Sequence, residues 1–406
     1  MVGTGVHIGG VGMTRFGVHE GETPASLAGQ AIRDALADAG LGSDRVEVAF
    51  VGSTTGSALH GQHMIGGEIV LREAGIGAIP AFNVENACAT GTSAFHLATA
   101  HVRAGLADVA LAVGVEQMHV GDRARTMQVF DGAYDVKHPE LLQQTLRELG
   151  GDVDLDGLGD RSVFMDIYAA LARAYMAETG LTARQIAAVS AKNHVHSVDN
   201  ERSHFRKPFT VDEVLAARPL APPLTVPMCS PVTDGAAAAL VVSAEVAATL
   251  PAPIRVLATV VGTGTDRELG DWDAHITRRV SARAFEEAGV GPDAVDVAEL
   301  HDATAFAEVL QAEMIGLFER GAGGAAAEAG ESSIGGRLPI NTSGGLESKG
   351  HPLAATGLGQ LFELTEQLRG RAGSRQVEGA RIALAENGGG FHKGEDAVTA
   401  ITILGA

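Results

Sequence analysis

An α/β fold of two related halves, each assembled from β–α–β units, is predicted by three features of this sequence. The interior must be built from small aliphatic side chains. Two separate stretches of the first half return in the second. They return in the same order. The chain has 406 residues, enough for two or three domain-sized units, with 45% apolar residues, 53 Gly and only 13 Phe, 3 Tyr and 1 Trp. Close backbone contacts and Ala, Val and Leu side chains suit packed helices and strands better than an all-β core.

Residues 34–50, DALADAGLGSDRVEVAF, align without a gap onto 283–299, RAFEEAGVGPDAVDVAE. Each copy reads as an amphipathic helix, an Ala-Gly stop, a short turn with Asp, and an alternating Val strand. Ala39-Gly40 matches Ala288-Gly289, Asp44 matches Asp293, and Val46 and Val48 match Val295 and Val297. The second pair is 88–118 and 350–390: a small-residue turn, a helix, then a strand, with Ala89-Thr90-Gly91 facing Ala355-Thr356-Gly357. The expected organisation is a first half over 1–250 and a second over 251–406. Between the copies, about 120–245 breaks the symmetry. This stretch is rich in charge and His, helix-like over 163–178 and Pro-rich over 219–231, and it reads as an insertion lying over one half where substrate selection resides. The segment 321–330, GAGGAAAEAG, reads as a flexible surface loop.

A formal net charge of −20 argues against a nucleic-acid or anionic-membrane footprint, which needs clustered Lys and Arg. No stretch approaches 18 uncharged apolar residues, and the first residues lack the charged start and apolar run of a signal. A soluble cytoplasmic chain without a membrane span is expected. The two cysteines, Cys88 and Cys229, lie in dissimilar contexts, which disfavours a disulfide framework or a Cys-based zinc site.

Cys88 lies in NVENACATGTSAFHLATAHVRAG, at the start of a helix expected from about Ala89 to His101. A helix N-terminus favours a thiolate and offers free N–H groups to an oxyanion, so a low-pKa nucleophile is expected there. Cys229, beside an apolar run, reads as packing. In the second half a Gly-rich turn, Asn341 to Gly357, places His351 just before the matching helix, where it can take the thiol proton and later hydrogen-bond a thioester oxygen. Two further loops follow predicted strands: VDVAELHDATAF presents His301 and Asp302, and RIALAENGGGF presents Glu386 and Asn387 before Gly388, Gly389 and Gly390. His60/His63 and His194/His196/His204 have chelating spacings but no accompanying carboxylate or cysteine cluster, so they read as surface or substrate-loop residues and no metal site is expected. Gly9-Gly10-Val11-Gly12 lacks the further glycine and spacing of a dinucleotide fingerprint.

In ENACATGTSAF, HDATAF, NTSGGLESKGHPLAATG and ALAENGGG, with AKNHVHSVDNERSHF and PMCSPVTDGAAAA between them, the sequence resembles the thiolase superfamily, most closely the sterol-carrier-protein or lipid-transfer type. The matches span nearly the whole chain in family order. The resemblance implies a thiolase fold, with duplicated βαβ halves in an αβαβα sandwich and an inserted loop domain, usually as a homodimer. It implies Cys88 as the acylated nucleophile and His351 as its base. It further implies His301 in the oxyanion position, no permanently bound cofactor, and coenzyme A as the thiol carrier of an acyl-CoA substrate.

Two departures stand out. Ordinary thiolases carry a second reactive cysteine in a Cys-x-Gly loop, onto which Glu386-Asn387-Gly388 aligns; sterol-carrier-type members carry it in a His-Asp-Cys-Phe motif, where this chain has Ala303. Glu386 is therefore the candidate for moving the α-proton, with a carboxyl raised toward neutrality. The N–H groups of Cys88 and Gly388, with Asn387 and Gly389 beside them, are expected to form a second oxyanion pocket. The leading reading is an acyltransferase that makes or cleaves a carbon–carbon bond in 3-oxoacyl-CoA. One rival is a thiolase-related retro-aldolase or carbon-acyltransferase acting with a small OB-fold/zinc-ribbon partner subunit. Another is a non-catalytic acyl-CoA or lipid-binding scaffold.

Overall fold

The computed structural model describes residues 5–151 and 162–406. Among them, the strands of the main sheet are β1 (Val6–Met13), β2 (Val48–Gly52), β3 (Ala81–Val84), β4 (Val109–Glu116), β5 (Gly235–Ser243), β6 (Ile254–Thr263), β7 (Val297–Glu299), β8 (Ile382–Gly389) and β9 (Val398–Gly405). The helices that position the site are α1 (Pro24–Ala39), α2 (Thr90–Arg103), α3 (Val163–Thr179), α4 (Ala183–His196), α5 (Ile276–Ala288), α6 (Ala305–Ile315), α7 (Gly323–Glu328), α8 (Gly345–Lys349) and α9 (Thr356–Leu368).

The strand order is β3-β2-β4-β5-β1-β6-β9-β8-β7. Read outward from the centre, β1-β5-β4-β2 on one side mirrors β6-β9-β8-β7 on the other, so the duplication seen in sequence is a duplication of topology. The two sides of the sheet are joined where His7 and Ile8 pair with Arg255 and Ile254. Five layers result. Ala31, Ile32 and Ala35 of α1 pack on Ala49, Leu111 and Leu240 at one outer face. At the other, Val280 and Ala284 of α5 and Ile315 of α6 pack on Ala258, Leu384 and Ile401. Between the two sides, Phe95 and Ala98 of α2 and Leu358, Leu361 and Leu364 of α9 share one core with Phe50 and Ala239 on one side and Val256 and Ala383 on the other. This is the expected αβαβα sandwich.

Local signals account for the ends of these elements. Thr23 and Ser26 form a capping box before Pro24 in the first turn of α1, and Gly40 closes it at φ 68°. Gly289 closes α5 in the same left-handed way at φ 69°. The glycines of β1 serve packing rather than a nucleotide: a Cβ at Gly10 would lie 2.3 Å from the Ala35 carbonyl oxygen.

Two expectations change. β5, which falls inside the stretch 120–245, is a buried central strand paired with both β4 and β1, so the sheet reclaims the end of the predicted insertion. The two long helices of that stretch pack on the second half: Ile167 and Tyr175 of α3 and Ile186 and Val189 of α4 share a core with Phe306, Val309 and Leu310 of α6. The segment 321–330 is not a loop throughout; it contains α7, because small residues let it press onto α4, where a Cβ at Gly324 would lie 2.3 Å from Leu181 Cδ1. Among the described residues no helix is long and apolar enough to cross a membrane.

Candidate active site

The two central helices start against each other. A Cβ at Gly91 in the first turn of α2 would lie 2.3 Å from the Ala354 carbonyl oxygen, and one at Gly357 in the first turn of α9 would lie 1.8 Å from Thr92 Oγ1. These glycines match in the sequence alignment, and each admits the other half. The turns preceding the helices are thereby driven together, and they carry Cys88 and His351.

Cys88 precedes α2 on a tight turn. Ala87 adopts φ 48°, a left-handed conformation that costs an L-residue about 1 kcal/mol or more. The turn is held by the Thr90 hydroxyl donating to the Ala87 carbonyl at 2.6 Å and by the Thr54 hydroxyl donating to the same oxygen at 3.1 Å. Cys88 is half-buried. Burial, Asp396 and Glu116 push its thiol up to about 12, so the low-pKa sulfur expected from the helix end is not the resting state. The helix terminus is present, but it stabilises an anion weakly compared with desolvation and two nearby carboxyls. The thiol must be deprotonated during reaction rather than before it.

His351 is buried, and its backbone N–H donates to Thr233 Oγ1 at 2.8 Å. Its Nδ1 lies 2.7 Å from Thr356 Oγ1, and that hydroxyl donates to the Pro352 carbonyl at 3.2 Å. This chain of bonds fits a proton on Nδ1, leaving the Nε2 lone pair to accept one. Burial and His301 hold the imidazole well below its ordinary value, hence neutral.

His301 follows β7, and its Nε2 lies 3.5 Å from His351 Nε2. Burial lowers it to about 4. Its neighbour Asp302 accepts the Leu346 N–H at 2.7 Å, and Asn193 Nδ2 of α4 donates to Asp302, Glu308 and Glu347 at 3.1, 2.9 and 3.0 Å. The insertion thus clamps the loop that bears His301. Cys88 Sγ and one nitrogen of each imidazole all lie within 4.8 Å of one another. Sequence reading expected no metal site, yet these donor types could hold a metal ion. Binding there would require the thiol to lose its proton, which the surrounding carboxyls oppose.

The remaining predicted residues occupy other roles. Glu386 lies within β8 rather than in a loop, fully buried, with Oε2 accepting the His301 N–H at 3.0 Å. Burial and Asp396 raise it well above the ordinary carboxyl range, the direction expected of it. Asn387 Oδ1 accepts from the Thr92 hydroxyl at 2.9 Å, tying β8 to α2. Gly389 rather than Gly388 backs the nucleophile: a Cβ there would lie 3.0 Å from the Cys88 nitrogen, whereas one at Gly388 would lie 2.5 Å from Asp396 Oδ2. His194 and His196 are not surface residues; they are buried, with ring nitrogens 3.1 and 3.0 Å from the Pro227 and Asn341 carbonyls. Cys229 is buried in the core beneath α4 and α6.

Asp396 and Tyr168 are the site residues that sequence reading missed. Asp396 lies two residues before the start of β9, and the pairing of β8 with β9 brings it beside Gly388. Tyr168 comes from α3 in the insertion, and its hydroxyl is pushed up by burial and by Asp396, Cys88 and Glu386.

A paired thiol and imidazole at the facing helix starts of a duplicated five-layered sandwich define a thiolase-type centre. The chain matches the thiolase N-terminal domain model over residues 6–245 and the thiolase C-terminal domain-like model over residues 261–404. It belongs to the thiolase family, in its sterol-carrier-protein type. It is 37% identical over 394 residues to sterol carrier protein 2 of Bos taurus, covering 94% of this chain and 69% of that protein. It is 34% identical over 387 residues to acetyl-CoA acetyltransferase of Methanothermobacter thermautotrophicus, covering 94% and 95%. It is 34% identical over 394 residues to the benzoylsuccinyl-CoA thiolase subunit BbsB of Thauera aromatica, covering 95% and 94%. A solved structure titled Ltp2-ChsH2(DUF35) aldolase superposes with a TM-score of 0.82 at 24% identity, over 100% of this chain and 99% of that one, and shares its fold.

Proposed function

We propose that this chain is a thiolase-like acyltransferase that forms a thioester on Cys88 and makes or cleaves a carbon–carbon bond in 3-oxoacyl-CoA substrates, with coenzyme A as co-substrate. The observation that carries the reading is the convergence of Cys88 Sγ with His301 and His351 within 4.8 Å. In cleavage, His351 Nε2 takes the thiol proton as sulfur attacks the 3-oxo carbonyl. The carbon–carbon bond breaks, and its electron pair passes to an enolate whose oxygen lies by the two imidazoles. Free coenzyme A then attacks the thioester and releases Cys88. Because the resting thiol is neutral, removal of its proton belongs to the attack itself.

The test is a panel of 3-oxoacyl-CoA and 3-hydroxyacyl-CoA thioesters assayed with and without free coenzyme A, together with intact-mass measurement of the protein. The expected result is cleavage of a 3-oxoacyl-CoA that depends on coenzyme A, and an acyl adduct absent from Cys88→Ala. No adduct and no turnover across the panel would leave a binding scaffold as the better description.

Association is part of the same proposal. Phe82 on edge strand β3 and the neighbouring Met64, Ile65 and Ile69 are exposed, which supports pairing of two copies along that edge. A second reading, activity only beside a small partner subunit, is supported by the naming of the Thauera aromatica relative as a subunit. Turnover by the chain alone would exclude it.

A further inference from the structure

The chain lacks a second thiol at either position where its relatives' motifs place one, and Glu386, its carboxyl raised by burial and Asp396, has one oxygen engaged by the His301 N–H. A second carboxyl beside it is open to the α-proton. We propose that Asp396 takes the α-proton of the incoming acyl-CoA during condensation and returns it to the enolate during cleavage, an inference that rests on the carbon–carbon bond chemistry proposed above.

Several independent features place it for this work. Side chains at 386 and 388 leave the same face of β8, and the space a side chain at 388 would fill is occupied by the Asp396 carboxyl, 2.5 Å from the position of such a Cβ. Gly388 is thus the residue that lets Asp396 approach. Its Oδ2 accepts from Gln311 Nε2 at 3.0 Å, and Gln311 is itself oriented because its Oε1 accepts the Thr277 hydroxyl at 2.7 Å. The carboxyl is aimed by a fixed amide rather than neutralised by a cation. Asp396 is only partly buried and borders a cavity of about 20 Å³ with Tyr168, Leu310 and Phe391, room for about one water. It is also the charged neighbour with the largest effect on the Cys88 thiol.

The charge state agrees with the placement. Burial and Glu395 raise Asp396 to about 7, against the Gln311 hydrogen bond that lowers it. Both protonation states are then populated near neutrality, as a group that takes and returns protons requires. The titratable groups around it are Cys88, Glu386, Tyr168, His275 and Glu395, the last tied to Arg267 at 2.6 Å.

The step balances within the site. In condensation the Asp396 carboxylate forms an O–H bond as the substrate Cα–H bond breaks, and the electron pair becomes an enolate whose oxygen rests by His301 and His351. The enolate carbon attacks the Cys88 thioester carbonyl; the carbon–sulfur bond breaks, and the proton drawn from the α-carbon passes from Asp396 by way of His351 to the departing sulfur, so that Asp396 and His351 end as they began. Cleavage runs the same steps in reverse.

The experiment measures exchange of the α-protons of acetyl-CoA with D2O by mass spectrometry in a Cys88→Ser background, where no thioester is needed. Adding Asp396→Asn is expected to slow exchange at least about 100-fold, and Asp396→Glu is expected to keep a clear part of it. Exchange by the Asn variant at the parent's rate, or Glu behaving like Asn, would overturn the proposal. In the chain with Cys88 intact, Asp396→Asn is expected still to be acylated by acetyl-CoA, since that half-reaction breaks no C–H bond. Absence of acylation in the unmodified chain would instead remove the thioester reading while leaving the exchange result to judge Asp396.

Discussion

The turn that presents Cys88 and the turn that presents His351 occupy equivalent places in the two halves, before α2 and α9, and each is followed by a glycine that admits the opposite half. Their chemistry differs because their fastenings differ. The first is a strained turn, with Ala87 at φ 48°, that holds a half-buried Cys88 near Asp396 and Glu116. The second seats an imidazole deep among hydroxyls, with Thr233 on its backbone and Thr356 on its ring. Duplication supplies the position, and the local hydrogen bonds decide whether that position holds a nucleophile or a base.

The comparison is broken most severely by removing the nucleophile. Cys88→Ala is expected to lower turnover by roughly 10⁴- to 10⁶-fold, by analogy with loss of a nucleophile that acts as part of a unit, measured by steady-state assay with the best thioester of the panel. Changing the facing glycines tests the geometry that both turns share. Gly91→Ala and Gly357→Ala are each expected to destabilise the fold by about 1–3 kcal/mol, read from denaturant midpoints, because the added carbon meets Ala354 or Thr92. A comparable effect on stability is expected at Thr356. Thr356→Val leaves Nδ1 of His351 without its partner and is expected to cost about 1–3 kcal/mol in stability, and kcat is expected to fall further than KM changes.

The mildest change sharpens the contrast in charge. Alkylation of Cys88 by iodoacetamide is expected to accelerate as pH rises well past the ordinary thiol range, since burial and the two carboxyls hold the thiol up to about 12. Asp396→Asn removes a negative neighbour and is expected to lower that apparent pKa. An unchanged alkylation profile would show that Asp396 does not act on the sulfur.

Much of this was legible in the sequence. The α1–β2 and α5–β7 copies carry matched stops at Gly40 and Gly289, and the facing Gly91 and Gly357 mark both central helices, so the two halves and the Cys88–His351 pairing follow from local signals. What escaped depends on contacts distant in sequence. The helix start after Cys88 suggests a thiolate, but burial, with Asp396 and Glu116 brought from distant parts of the chain, reverses the sign. α7 reads as a loop because an Ala/Gly run becomes a helix only when α4 covers it. Glu386 reads as a base from its place in a motif, and only the fold shows its full burial and its bond to the His301 N–H.

The central claim is that His351 removes the proton from a neutral Cys88 as sulfur attacks, and one measurement tests it directly. The rate of Cys88 acylation by acetoacetyl-CoA, followed by quenched-flow intact-mass spectrometry, is to be compared between the unmodified chain and His351→Gln. The account predicts a fall of about 10²- to 10⁴-fold in the variant, with the adduct on Cys88 and none on Cys229. An equal rate in the two proteins, or an adduct that forms elsewhere, would contradict it.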